Sequence, residues 1–121
     1  MNKSKVIQVS GNSYKIDFPN VGKFIDIQVL ETRLSQGQAK NLIFGTGDQI
    51  DAFLYITTYA HFSVLCPEMF KDLKVNSILD LSFEEYEQLV QIYLKEIQPW
   101  IRGVKDAIKE KIASMTPAND Q

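Results

Sequence analysis

Cysteine, histidine and tryptophan each occur only once in this chain, at Cys66, His61 and Trp100. A single cysteine excludes an intramolecular disulfide and a Cys-rich metal site. Cys66 follows His61 by five residues, which places the two on different sides of a helix, and no basic or acidic neighbour is expected to tune the thiol. We therefore expect Cys66 to behave as a small buried apolar residue and His61 to be satisfied in or just beneath the core.

The chain also lacks an excess of either charge, with 13 basic against 15 acidic residues and a formal charge of −2. Proteins that follow nucleic-acid phosphates need clustered Lys and Arg, whereas the basic residues here are dispersed among acids. The longest uncharged stretch, Ala52 to Pro67, falls short of the ~18 apolar residues of a bilayer span. The sequence therefore predicts no nucleic-acid or membrane partner, no signal peptide, and a cytoplasmic location.

No recognisable catalytic or cofactor-binding constellation is present. The segment Gly45-Thr46-Gly47-Asp48 precedes a predicted helix, as a phosphate-binding loop does, but it lacks the lysine of that motif, and Asp48 would repel a phosphate. The acidic residues at the helix starts have no histidine or second set of oxygen ligands beside them, so capping explains them better than a metal. We expect no enzymatic activity, no cofactor and no metal.

What is present is a pattern of one β-hairpin followed by helices. A length of 121 residues fits one domain, which we assign to residues 1–115, with 116–121 as a disordered tail. Residues 5–18 predict the hairpin, because apolar residues alternate with polar ones on both sides of the turn-forming stretch Ser10 to Ser13. These apolar residues are Ile7, Val9, Tyr14, Ile16 and Phe18.

Three helices are predicted over residues 20–36, 48–65 and 83–114. Asn20 is the expected N-cap of the first and Gly37 its stop, and Asp48 is the expected cap of the second. The second helix is apolar almost all round, which predicts a central core helix in which Phe53→Ala or Phe62→Ala costs about 3–5 kcal/mol.

The third helix opens on a capping box of Ser82 and Glu85, and Pro99 interrupts it. The fold class is therefore α+β and mostly α-helical, with an N-terminal β-hairpin packed on a small helical bundle and a long, Pro-kinked C-terminal helix.

The part of the last helix beyond Pro99 is the candidate partner-binding segment. Trp100 either forms an interaction hot spot or closes the core where the helix bends. The narrow apolar stripe that follows is typical of a helix packed against a partner. The candidate partner-binding residues are Trp100, Ile101, Val104, Ile108 and Ile112. Truncation after Gly103 is then expected to leave a folded domain that binds its partner, or a second copy, less well; failing that, the helix over 21–36 is the alternative interface.

Three stretches, Phe18 to Ile27, Phe62 to Pro67 and Tyr93 to Trp100, together resemble small tail assembly chaperones of long-tailed bacteriophages. The resemblance lies in a short hairpin, a helix start of the form Phe-Pro-x-x-Gly-x-Phe-Ile-Asp, and a helical C-terminal half, and it spans about residues 5–105. It implies a protein that coats the long helical tape measure protein before the tail tube polymerises and that is not retained in the virion. It transfers no site residues.

Two other functions stay open at this stage. A virion structural subunit, such as a head–tail connector or tail component, shares the small size and the hairpin-plus-helix build. A small enzyme or ligand-binding module would need a concave pocket with converging polar groups. A structural subunit is present in purified particles at fixed stoichiometry, whereas a chaperone is absent from them.

Overall fold

The computed structural model describes residues 2–43, 45–75 and 78–115. The predicted disordered tail over 116–121 lies outside these ranges. The fold is α+β and mostly α-helical, as predicted. Its elements in chain order are β1 (Ser4–Val9), β2 (Asn12–Asp17), α1 (Val21–Ser35), α2 (Ala39–Ile43), α3 (Gly47–Leu65), α4 (Met69–Asp72), a 3-10 turn (Ile78–Asp80), α5 (Phe83–Ile92), a π-helical segment (Tyr93–Ile97) and α6 (Gln98–Met115).

The hairpin turns on two residues. β1 and β2 pair antiparallel with Val9 opposite Asn12, so only Ser10 and Gly11 lie in the turn, and both have positive φ angles of 52° and 84°. Two successive left-handed residues are typical of the tight turns that match strand twist. The four-residue turn predicted from sequence is therefore shortened, since Asn12 and Ser13 belong to β2.

The hairpin places one face on the helices. Its inward side chains, Ile7, Val9, Tyr14 and Ile16, are all buried. The Tyr14 hydroxyl donates to the Asp72 carboxylate at 2.5 Å, which joins β2 to α4. Burial and this hydrogen bond raise the pKa of Tyr14 to about 12.

The helix boundaries follow from capping groups. Asn20 caps α1 by accepting from the Lys23 N–H at 2.9 Å, and Gly37 is left-handed, as predicted. Gln36, predicted as the last helical residue, is left-handed too, so α1 ends at Ser35. The prediction that Asp48 caps α3 is wrong. Thr46 is the N-cap, and its N–H donates to Gln49 Oε1 at 2.8 Å, because Thr46 and Gln49 have the spacing of a capping box.

The core lies against the second half of α3. Phe62 and Ala60 are fully buried there, together with the inner face of the hairpin and the buried side of α5. The prediction that α3 is surrounded along its whole length is wrong for its first half, where Ile50 is 46% exposed and Phe53 only half-buried. The helix α2, which contacts α3, is only five residues long.

A π-helical segment replaces a break at Pro99. Proline lacks an N–H, and its ring conflicts with the carbonyl four residues earlier, which is that of Lys95. Over Tyr93–Ile97 the helix widens, and the Gln98 N–H donates to the Tyr93 carbonyl five residues back. The widened turn lets one helical path continue from α5 into α6, and it places Tyr93 in the core.

Candidate interaction site

Trp100 packs on the base of the hairpin. Its ring meets the ring of Phe18 edge-on, with centroids 5.9 Å apart, and its Nε1–H donates to the Asn2 carbonyl at 2.8 Å. These contacts occupy both the apolar body and the polar tip of the indole. Trp100 is half-buried: it packs against the core at the hairpin, and part of its side chain stays exposed.

Two residues of the predicted partner-binding set lie inside the molecule. Ile101 and Val104 are 7% and 4% exposed, so a partner has almost no access to their side chains. The reason is that the apolar stripe of α5 continues through the π-helical segment into the first two turns of α6 and keeps facing the core. Trp100 and Ile108 are half-buried and Ile112 is 58% exposed, so these three residues of the predicted set keep accessible surface.

The outer face of α1 is apolar and exposed. Val21, Ile25 and Val29 are 75%, 54% and 47% exposed, and their spacing of four residues aligns them along one side of the helix. Beside them lies an open depression of about 430 Å³ lined by Ile25, Gln28, Val29, Thr32 and Arg33. The sequence predicted the helix over 21–36 only as the alternative interface, and in the structure these residues form an exposed apolar face.

An apolar depression on another side of the molecule has a volume of about 300 Å³. It is lined by Tyr55, Leu79, Leu81, Phe83 and Tyr86. The Tyr55 ring meets the rings of Phe83 and Tyr86 edge-on at 6.1 and 5.8 Å, and the Tyr86 hydroxyl donates to the Tyr55 carbonyl at 2.5 Å. These contacts give the depression an ordered aromatic wall.

A groove of about 350 Å³ separates α1 from α6. Its lining is polar and cationic along α6 and includes Arg102, Lys105, Asp106 and Lys109. The Lys105 ammonium lies 4.5 Å from the centre of the Phe24 ring on α1, a cation–π contact that joins the two helices.

His61 forms part of the wall of the same groove and is satisfied within its own helix. Its Nδ1 lies 2.7 Å from the Thr57 carbonyl and acts as the donor, because that oxygen can only accept. Its ring lies 4.7 Å from that of Tyr93, and the Thr57 hydroxyl donates to Glu31. Burial lowers the pKa of His61, so the ring is neutral at pH 7. Nothing in this arrangement requires a ligand or a reacting group.

The lowered pKa of His61 predicts a loss of stability in mild acid. Below pH 6.5, the ordinary pKa of histidine, the unfolded chain binds a proton at His61 that the folded chain does not. The free energy of unfolding therefore decreases as the pH is lowered. We expect urea titrations from about pH 7.5 to about pH 5.5 to show a steeper loss for the parent than for His61→Asn. Equal slopes would show that His61 titrates normally in the folded protein.

Cys66 is a structural residue. It is 1% exposed, and its Sγ lies 3.7 Å from Glu68 Oε1. Burial, together with the negative charge of Glu68, raises the pKa of the Cys66 thiol to about 12. The acidic neighbour missed in the sequence therefore disfavours the thiolate, which is the nucleophilic form.

Within residues 2–43, 45–75 and 78–115, no group of three or more His, Cys, Asp or Glu side chains could hold a metal ion. None of the helices in this part of the chain is long and apolar enough to cross a membrane. Comparison of the chain with protein-family models, with curated proteins and with solved structures finds no match.

Proposed function

We propose that this chain is a non-enzymatic assembly protein of a long-tailed bacteriophage. It binds an apolar helical segment of the tape measure protein in the host cytoplasm and masks it until the tail tube forms. The observation that carries the proposal is the exposed apolar face of α1, formed by Val21, Ile25 and Val29. The resemblance of the sequence to tail assembly chaperones supplies the identity of the partner.

The α1 face has the form that helix recognition requires. Residues 21, 25 and 29 extend over eight positions, or about 12 Å of helix axis, which corresponds to two turns of a partner. An amphipathic helix would place residues at i, i+3 or i+4, and i+7 against them, next to the depression beside Ile25. Apolar side chains that would otherwise aggregate would then be covered on both molecules.

The chemistry of the chain supports a binding role over an enzymatic one. His61 is neutral and bonded to its own helix, and Cys66 is buried with a raised thiol pKa. Neither residue stands beside the other as nucleophile and base, the arrangement that covalent catalysis uses. A virion structural subunit would use the same kind of surface, so particle composition separates that function from the proposed one.

The test is a pull-down in which this chain is tagged and the tape measure protein of the same phage is co-expressed with it. Ile25→Glu/Val29→Glu places two charges on the α1 face without altering a core residue, because both positions are exposed. We expect this variant to retain less than about a tenth of the partner recovered by the parent, since each buried unpaired charge costs several kcal/mol.

The matched control is Gln8→Glu/Gln91→Glu, which adds the same charge at two exposed positions on β1 and α5. It is expected to recover as much tape measure protein as the parent. Mass spectrometry of purified particles completes the test, with the chain expected in infected cells and absent from particles. If both variants recovered equal amounts of tape measure protein, the interface would not lie on α1. A fixed number of copies of the chain per particle would identify a structural subunit.

A further inference from the structure

The groove between α1 and α6 is lined by more cationic than acidic side chains among the residues that the structure describes. Arg102, Lys105 and Lys109 line it with a single acid, Asp106. Within the described residues, the only ion pair is that of Lys5 and Glu96 at 4.0 Å, so neither Arg102 nor Lys109 is paired. Arg102, Lys105 and Lys109 are all exposed, and their spacing of three and four residues aligns them along one side of α6 for about 10 Å.

Apart from Asp106, the residues that line the groove are not acidic. Phe24, Ile27 and Ile101 are apolar, and Gln28 and Gln98 are uncharged. Burial is the main influence on both titratable groups of the wall, raising the pKa of Tyr93 and lowering that of His61. Nearby charges act on both pKa values as smaller contributions, first the negative charge of Glu31 and then the positive charges of Arg102 on Tyr93 and Lys105 on His61.

The groove is continuous with the apolar face of α1. Gln28 lines both the groove and the depression beside Ile25 and Val29. A helix seated on the α1 face therefore has one flank toward the cations of α6. Acidic side chains on that flank would meet unpaired positive charge, whereas basic ones would be repelled.

We propose that this groove binds acidic side chains on the flank of an amphipathic partner helix whose apolar stripe lies on α1. This inference rests on the proposed function and adds the chemistry of the segment that is recognised. The segment carries Leu- or Ile-like residues along one stripe and Glu or Asp beside it, spaced at i, i+3 or i+4, and i+7, like the cations. The groove contributes selectivity and salt dependence, and the α1 face contributes the apolar contact.

Other anions fit the groove less well. Asp106 lies among the three cations, so a compact phosphate cannot contact them all without also meeting its carboxylate, whereas separate carboxylates can each approach one cation. Three cations along one helix also fall short of the clustered Lys and Arg that a nucleic-acid backbone needs. A row of carboxylates on a helix matches both the spacing and the length of the charged row.

The test uses three synthetic helical peptides of about 20 residues, long enough for five turns. The first has a Leu stripe and a Glu flank, the second has Gln in place of each flank Glu, and the third has Ser in place of each stripe Leu. Calorimetric titration at low salt is expected to show the first peptide binding the parent protein about tenfold tighter than the second, a difference removed at about 0.5 M NaCl.

The protein variants locate the effect. Arg102→Gln/Lys109→Gln is expected to remove the preference for Glu over Gln. Lys71→Gln/Lys111→Gln removes the same charge from exposed positions outside the groove and is expected to keep the preference. Ile25→Glu/Val29→Glu is expected to abolish binding of both Leu-bearing peptides.

The outcomes separate this inference from the proposed function. Equal binding of the Glu and Gln peptides to the parent would overturn the acidic flank and leave the apolar site on α1 standing. If Lys71→Gln/Lys111→Gln also lost the preference for the Glu peptide, the groove would not be where that preference arises. Tight binding of inorganic phosphate that displaces the Glu peptide would assign the groove to a small anion instead. Failure of both Leu-bearing peptides to bind would count against the proposed function itself.

Discussion

Phe62→Ala lowers the free energy of unfolding by about 3–5 kcal/mol, the usual cost of deleting a large side chain from a packed core. Phe62 has no exposed surface, and it lies where the second half of α3 meets the hairpin and the C-terminal helices. Its removal leaves a cavity among residues from several elements, which cannot all move to fill it. Urea denaturation followed by circular dichroism measures the loss.

Phe53→Ala is the matched control on the same helix. The structure corrects the expectation that the two variants are equivalent, because Phe53 is half-buried on the first half of α3 and outside the core cluster. We expect a loss of about 1 kcal/mol, typical of a partly exposed apolar residue. Equal losses for Phe53→Ala and Phe62→Ala would contradict the location of the core described here.

Truncation after Gly103 destabilises the domain by about 2–4 kcal/mol, contrary to the expectation from sequence that it leaves the fold intact. The truncation removes Val104, which is 4% exposed, and half-buried Ile108. It also removes the ammonium of Lys105 from the Phe24 ring, a contact worth about 0.5–1 kcal/mol. The first two turns of α6 therefore belong to the core.

Truncation after Lys111 is the comparison, since residues 112–115 are exposed and contribute little buried surface. It is expected to cost less than about 1 kcal/mol. Thermal melts of the two truncated chains beside the parent decide the matter. If the Gly103 truncation melted at the temperature of the parent, α6 would not be packed on α1 as the structure has it.

Local signals in the sequence predicted the elements of the fold. The caps at Asn20 and Ser82 and the left-handed stop at Gly37 each act through atoms a few residues apart, so their effect can be derived from spacing alone. The start of α3 was assigned to the wrong residue for a related reason. Thr46 and Gln49 also form a capping box by spacing, but the glycines around Thr46 suggested a loop.

The surface could not be predicted in the same way. Periodicity shows that α1 has many apolar positions, but their burial depends on which elements pack against the helix. In the structure, α3 and α6 cover only the side that bears Ile27. Ile25 and Val29 are therefore exposed, which the apolar pattern of the helix does not reveal. Ile101 and Val104 were assigned to a partner because the stripe beyond Pro99 is narrow, although α6 is docked on the body of the protein.

The most direct test of the proposed role is the solubility of the tape measure protein during co-expression. If this chain masks apolar helical surface, the parent keeps most of the tape measure protein in the soluble fraction. Ile25→Glu/Val29→Glu then leaves it aggregated, as it is with no chaperone present. A tape measure protein that is equally soluble with the parent chain, with the variant and alone would contradict the masking function.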